Sequence, residues 1–190
     1  RGLKDKPFYV MEQQTGPCGW GTMSELPAPG QIRLWTYASF AQGTDTVVYF
    51  RWRTSTSGTE QYWNGILDAD GKENRRFLDI KQIGKEVALI GNEIGSISIS
   101  SKVAIIKSYE YEWAFSIQPG SAKFDYNHFV ESYYSAFHKL GINVDIIDTN
   151  HDFSNYRLII APTIVMVSND LAKKFENYVS SGGNILFTFR

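Results

Sequence analysis

A chain of 190 residues that is 43% hydrophobic, 15% aromatic and 21% charged carries too many large apolar side chains to be disordered, and it is long enough for one domain or two small ones. Nineteen Lys and Arg against twenty Asp and Glu give a net charge of −1; no basic surplus exists to neutralise a run of phosphates, so no nucleic-acid partner is expected. The single cysteine, Cys18, excludes an internal disulfide and a cysteine-built zinc centre, and it permits a reducing, cytoplasmic location.

The chain opens on Arg1-Gly2-Leu3-Lys4-Asp5-Lys6, without an initiator Met or an apolar leader, as expected of a piece of something longer. Pro7 to Met11 is a short apolar run that predicts a buried strand ending in the polar group Glu12-Gln13-Gln14. A Gly/Pro-rich loop follows from Thr15 to Gly30, long enough to invite a functional reading. Gln31 to Gln42 spaces Ile32, Leu34, Trp35, Ala38 and Ala41 mostly three and four apart and stops at Gly43, which predicts a helix with a glycine cap. Thr46 to Trp52 is β-branched and aromatic, hence a second buried strand. After a polar loop from Arg53 to Gly71, the stretch Glu73 to Ile94 sets Phe77, Ile80, Ile83, Val87, Ile90 and Ile94 on one helical stripe.

This βαβα order belongs to a parallel sheet with right-handed crossovers. The small, polar stretch Gly95 to Ser101 predicts a boundary between domains spanning 1–95 and 96–190. Beyond it, strands are expected at Lys102–Lys107, Asn143–Ile147, Arg157–Ala161 and Ile185–Phe189. Helices are expected at Tyr126–Leu140, capped by Asp125 and closed by Gly141, and at Asn169–Val179, with Ser168 as N-cap and Gly182 beyond its end. The alternation predicts an α/β fold, a doubly wound parallel sheet of flavodoxin-like type. The longest uncharged apolar run, Leu158 to Val167, is shorter than the roughly 20 residues of a membrane span and is broken by Pro162. No membrane partner is expected.

Glu12 is a carboxylate at the C-terminal end of a strand in a βα array, where such folds place their chemistry. It could be a glycosidase nucleophile or general base, or it could cap the loop or pair with an arginine such as Arg51; spacing alone favours the structural use. Trp20 and Trp63 lie in the loops after the two strands. An indole face suits the C–H side of a sugar ring and its N–H adds a donor, although packing beneath a long loop explains either one alone. Glu60, within Gly58-Thr59-Glu60-Gln61-Tyr62-Trp63, could grip hydroxyls through charge-assisted hydrogen bonds or simply be solvated. His128, His138 and His151 have no metal-ligand spacing, and the chain contains no Gly-x-Ser-x-Gly, Gly-x-Gly-x-x-Gly or Gly-Lys-Ser signature. No metal or cofactor is expected. The acidic, aromatic segment Tyr109 to Phe115 disfavours a phosphate-binding role for the second half.

Taken together, Phe8-Tyr9-Val10-Met11-Glu12-Gln13-Gln14, Gly16-Pro17-x-x-Trp20, Pro27-x-Pro29-Gly30-x-x-Arg33-Leu34-Trp35, Tyr49-Phe50-Arg51-Trp52-Arg53, Gly58-x-Glu60-Gln61 and Gly65-Ile66-Leu67-Asp68-x-Asp70-Gly71 resemble glycoside hydrolase family 42, the microbial β-galactosidases. The resemblance continues through Asp152-Phe153-Ser154-x-Tyr156 and Val179-x-x-Gly182-Gly183. It implies the last two βα units of an eightfold (TIM) barrel, followed by the first part of a class I amidotransferase-like domain that mediates trimer formation. It further implies a galactoside substrate, Glu12 as the nucleophile of a retaining mechanism, Trp20 lining the galactose site and Glu60 binding galactosyl hydroxyls. Trp63 stands where many relatives have His. The acid/base carboxyl is then expected from an earlier strand outside these residues, and the segment by itself is expected to be inactive. The rival readings are a non-catalytic carbohydrate-binding or assembly module, and a related α-L-arabinopyranosidase or β-fucosidase on the same frame.

Overall fold

The computed structural model describes residues 6–95 and 99–189. Its chain divides into two units at residues 99 and 100. The expected boundary stretch, Gly95 to Ser101, includes residues 96–98, which lie outside the described residues.

The first unit runs β1 (Phe8–Gln14), α1 (Gln31–Ala41), β2 (Thr44–Phe50) and α2 (Arg75–Gly95), with β1 and β2 paired in parallel. β1 extends past its expected end because Gln13 and Gln14 pair with Tyr49 and Phe50. A ladder is made by backbone groups and is indifferent to the polarity of the side chains. β2 stops at Phe50, where the Phe50–Arg51 peptide is cis. Neither strand is buried as expected: Tyr9 and Met11 are exposed, since each strand has one neighbour in a two-stranded sheet.

Helix α1 closes at Gly43, whose φ of 89° is the left-handed conformation a C-terminal glycine supplies. It buries Ile32 and Thr36, one turn apart. The Thr36 hydroxyl donates to the Ile32 carbonyl at 2.8 Å and meets the Tyr49 hydroxyl at 2.7 Å, and burial raises the pKa of the Tyr49 phenol. In α2 the predicted stripe is present but only partly covered. Ile83 is its buried member, and the helix's other buried residue, unexpectedly for a charged one, is Arg76.

The second unit runs β3 (Val103–Ile106), α3 (Tyr109–Ile117), α4 (Tyr126–Lys139), β4 (Val144–Ile147), β5 (Leu158–Ala161), α5 (Asn169–Ser180) and β6 (Asn184–Phe187). All strands are parallel in the order β4-β3-β5-β6. Alternate residues of β3 serve opposite faces. Ala104 and Ile106 join a core with Phe153, Tyr156, Phe175 and Tyr178, while Val103 and Ile105 join one with Tyr111, Phe115, Tyr126 and Val130. Helix α5 therefore covers one face and α3 with α4 the other, which is why these short strands are apolar throughout.

The caps read from sequence form. The Asp125 carboxylate accepts from the His128 amide at 2.8 Å, and the Ser168 hydroxyl accepts from the Leu171 amide at 3.2 Å. Helix α3 was not among the expected elements. It starts at Ser108, whose hydroxyl accepts from the Glu110 amide at 3.1 Å, and it buries Tyr111 and Phe115. Among the described residues no helix is long and apolar enough to cross a membrane, and no cluster of side chains could hold a metal ion.

Candidate active site

Parallel pairing sends the chain out of β1 and β2 at the same end of the sheet, so the two long loops that follow emerge side by side. Glu12 lies near this end of β1. There the register passes from Val10 opposite Val47 to Gln13 opposite Tyr49, three steps on one strand against two on the other. The extra residue is a bulge spanning Met11 and Glu12, a device that re-aims side chains. Both residues are exposed.

The first loop folds on itself. The Gln14 side-chain amide donates to the Ser24 hydroxyl at 2.7 Å and to the Gly16 carbonyl at 3.0 Å. The Ser24 amide donates to the Cys18 carbonyl at 2.9 Å, and the Cys18 amide donates to the Ser24 hydroxyl at 3.1 Å. This closed turn presents Trp20, whose ring is 73% exposed.

The second loop is zipped at its base. The Ile66 and Leu67 amides donate to the Arg51 and Trp52 carbonyls at 2.6 and 2.9 Å, and the Thr54 amide donates to the Leu67 carbonyl at 3.0 Å. Gly65 is required at this seam, because a Cβ there would lie 2.5 Å from the Arg51 carbonyl oxygen. Arg76 of α2 reinforces the seam by donating from Nε to the Gly65 carbonyl at 3.0 Å and pairing with Asp68.

The two loops are then joined. The Asn64 amide donates to the Pro17 carbonyl at 2.9 Å and the Trp63 indole N–H donates to the Gly19 carbonyl at 3.0 Å. The Trp20 and Trp63 rings meet edge to face with centroids 4.5 Å apart, and Trp63 also packs against Phe50 at 5.7 Å. Glu60 is held by Arg51 and is half-buried.

The structure thus brings Trp20 and Trp63 into contact and gives Glu60 an arginine partner. Arg51, one sequence candidate for pairing with Glu12, engages Glu60 instead, at the start of the loop that carries Glu60. Among the described residues no hydrogen bond or ion pair engages the Glu12 carboxylate. Arg51 and Arg76 were missed as organisers of the site. Their partners lie eight or nine residues away along irregular chain, where no periodicity announces a pair.

An exposed strand carboxylate, an exposed indole and a buttressed second carboxylate thus belong to one sheet end and the loops that leave it. Two family models match the chain: residues 1–90 fit "Beta-galactosidase" and residues 101–190 fit "Beta-galactosidase trimerisation domain", both of glycoside hydrolase family 42. The chain belongs to this family. A β-galactosidase of Haloferax lucentense is 38% identical over 191 residues, covering 100% of this chain and 28% of that protein. One of Halorubrum lacusprofundi is 36% identical over 187 residues, covering 98% of this chain and 26% of its own length. The crystal structure of β-galactosidase from Bacillus circulans sp. alkalophilus superposes with a TM-score of 0.90 at 34% identity, covering 97% of this chain and 28% of that one. The chain therefore spans little more than a quarter of the relatives it matches.

Proposed function

We propose that this chain is part of a retaining β-galactosidase in which Glu12 is the nucleophile. Residues 6–95 are read as the last two βα units of a (β/α)8 barrel. Residues 99–189 are read as the start of an amidotransferase-like, doubly wound domain through which the parent forms a homotrimer. The strand order β4-β3-β5-β6, with helices on both faces, supports the second reading, since in the unit's own count it is 2-1-3-4.

The observation that carries the proposal is the bulge at Met11-Glu12, which places an exposed carboxylate at the end of the sheet from which both site loops emerge. In the first step a Glu12 oxygen bonds to the sugar C1 while the C1–O glycosidic bond breaks, and the leaving oxygen takes a proton from a second carboxyl group. Water then releases the sugar, with that second group acting as base. Retention requires the two carboxyls about 5–5.5 Å apart; the partner comes from sequence outside this chain. Trp20 offers its ring to the C–H face of galactose, and Glu60, fixed by Arg51, accepts from its hydroxyls.

The test is Glu12→Gln in the full-length parent, assayed on a nitrophenyl β-galactoside. The expected fall in kcat is on the order of 10³-fold or more. A slow fluorinated galactoside should label the wild-type peptide containing Glu12 with one glycosyl unit. Undiminished turnover, or labelling elsewhere, rejects the assignment.

A further inference from the structure

The sequence offers Trp63 as a sugar contact beside Trp20, but its surroundings point to a different task. The indole has one donor and no acceptor, and that donor is directed at the Gly19 carbonyl at 3.0 Å. The ring packs in T-shaped contacts with Phe50 at 5.7 Å and with Trp20 at 4.5 Å between centroids. The adjoining Asn64 amide holds the Pro17 carbonyl at 2.9 Å, and Gly16 lies so close to Asn64 that a Cβ there would be 2.6 Å from the Asn64 Cβ. Trp63 is partly buried, whereas Trp20 is exposed. An exposed indole in a short turn has free rotation to lose when it docks a ligand, and a fixed neighbour removes that cost in advance. Gly19, the residue Trp63 binds, immediately precedes Trp20 in the turn closed between Cys18 and Ser24.

We infer that Trp63 is a positioning residue, which orients the Trp20 ring for the sugar by holding the Gly19 carbonyl and packing against that ring, and does not itself hydrogen-bond the sugar. The inference rests on the reading that Trp20 lines the galactose site. Trp63 acts through Trp20, so its contribution exists only while Trp20 is present.

A double-mutant cycle in the full-length parent tests this. Trp20→Ala should raise KM for a nitrophenyl β-galactoside on the order of tenfold. Trp63→Phe, which keeps a ring and removes the donor, should raise KM about threefold with kcat little changed. The combined variant should match Trp20→Ala within about twofold. The near-ultraviolet circular dichroism of the coupled indoles should weaken in Trp63→Phe and in Trp20→Ala alike. Where Trp63→Phe does not fold, Trp63→Tyr replaces it in the same cycle. Multiplicative effects in the combined variant, or an unchanged KM in Trp63→Phe, overturn the inference while leaving the Trp20 assignment intact. A silent Trp20→Ala overturns both the assignment and the inference.

Discussion

Arg51 holds Glu60 at two points: Nη1 donates to the carboxylate oxygen Oε2 at 3.0 Å, and Nη2 donates to the main-chain carbonyl of the same residue at 3.2 Å. One guanidinium thus fixes both the side chain and the backbone of a residue nine positions downstream. The planar fork of arginine makes this possible, and the point charge of lysine does not reproduce it.

Replacing Arg51 tests that grip. In the full-length parent, Arg51→Lys should raise KM for a galactoside several-fold and Arg51→Ala on the order of tenfold or more, with a smaller change in kcat. Steady-state kinetics of the two variants check the ordering, and a wild-type KM in Arg51→Lys would assign Arg51 a role as charge alone.

The seam at Gly65 makes a prediction about stability. A methyl group at this position meets the Arg51 carbonyl oxygen at 2.5 Å and the Arg53 backbone at 3.0 Å, and backbone cannot step aside as a side-chain tip can. Gly65→Ala should cost about 1–3 kcal/mol, read by urea denaturation. A neutral substitution would show that the loop base shifts more freely than its hydrogen bonds indicate.

A surface network on the first unit predicts pH dependence. Hydrogen bonds from Arg33, Gln82 and Tyr37 lower the Glu86 carboxyl from 4.5 to about 2. A carboxyl with a depressed folded pKa contributes stability that is complete above its unfolded value and is lost as pH falls through the folded one. The wild type should therefore melt above Glu86→Gln near neutral pH, and the gap should close between about pH 4.5 and 2. Thermal melts across that range check it, and a gap independent of pH would refute the network's role.

In the second unit Asp145 is buried and accepts from the Ser101 hydroxyl at 2.8 Å and the Tyr156 hydroxyl at 3.1 Å. Asp145→Ala removes both of these buried hydrogen bonds and should destabilise by about 1–3 kcal/mol. Asp145→Asn, which keeps an acceptor oxygen, should cost less. Chemical denaturation of both variants settles the order.

How far the sequence foretells this structure depends on the kind of signal each residue leaves. Capping leaves a local one: Asp125, Ser168, Gly43 and Gly141 punctuate the helices where composition and spacing place them, because a cap acts within three or four residues of itself. Burial in unit one did not follow from apolarity. Tyr9 and Met11 look like core residues in one dimension, but whether a β-strand is covered depends on how many neighbours the sheet supplies. Helix α3 escaped notice because Tyr109-Glu110-Tyr111-Glu112-Trp113 alternates like a strand, even though Tyr111 and Phe115 already stand one helical turn apart after a serine cap. At the site, Glu12, Trp20 and Glu60 were legible as residue types in loops and strand ends. The buttresses, Arg51 to Glu60 and Trp63 to Gly19, were not, since both are tertiary contacts made across irregular chain.

The bulge in β1 also sets an arithmetic for this segment. Side chains in a strand alternate by twos, and a surplus residue interrupts that alternation where it falls. Deleting Met11 would leave the same polar and apolar letters nearly in place and could preserve the main-chain ladder. It would nevertheless remove the bulge, with Glu12 left as the single residue between the pairs Val10–Val47 and Gln13–Tyr49. Near position 12, therefore, the register of the strand depends on its length as well as on the residues it carries.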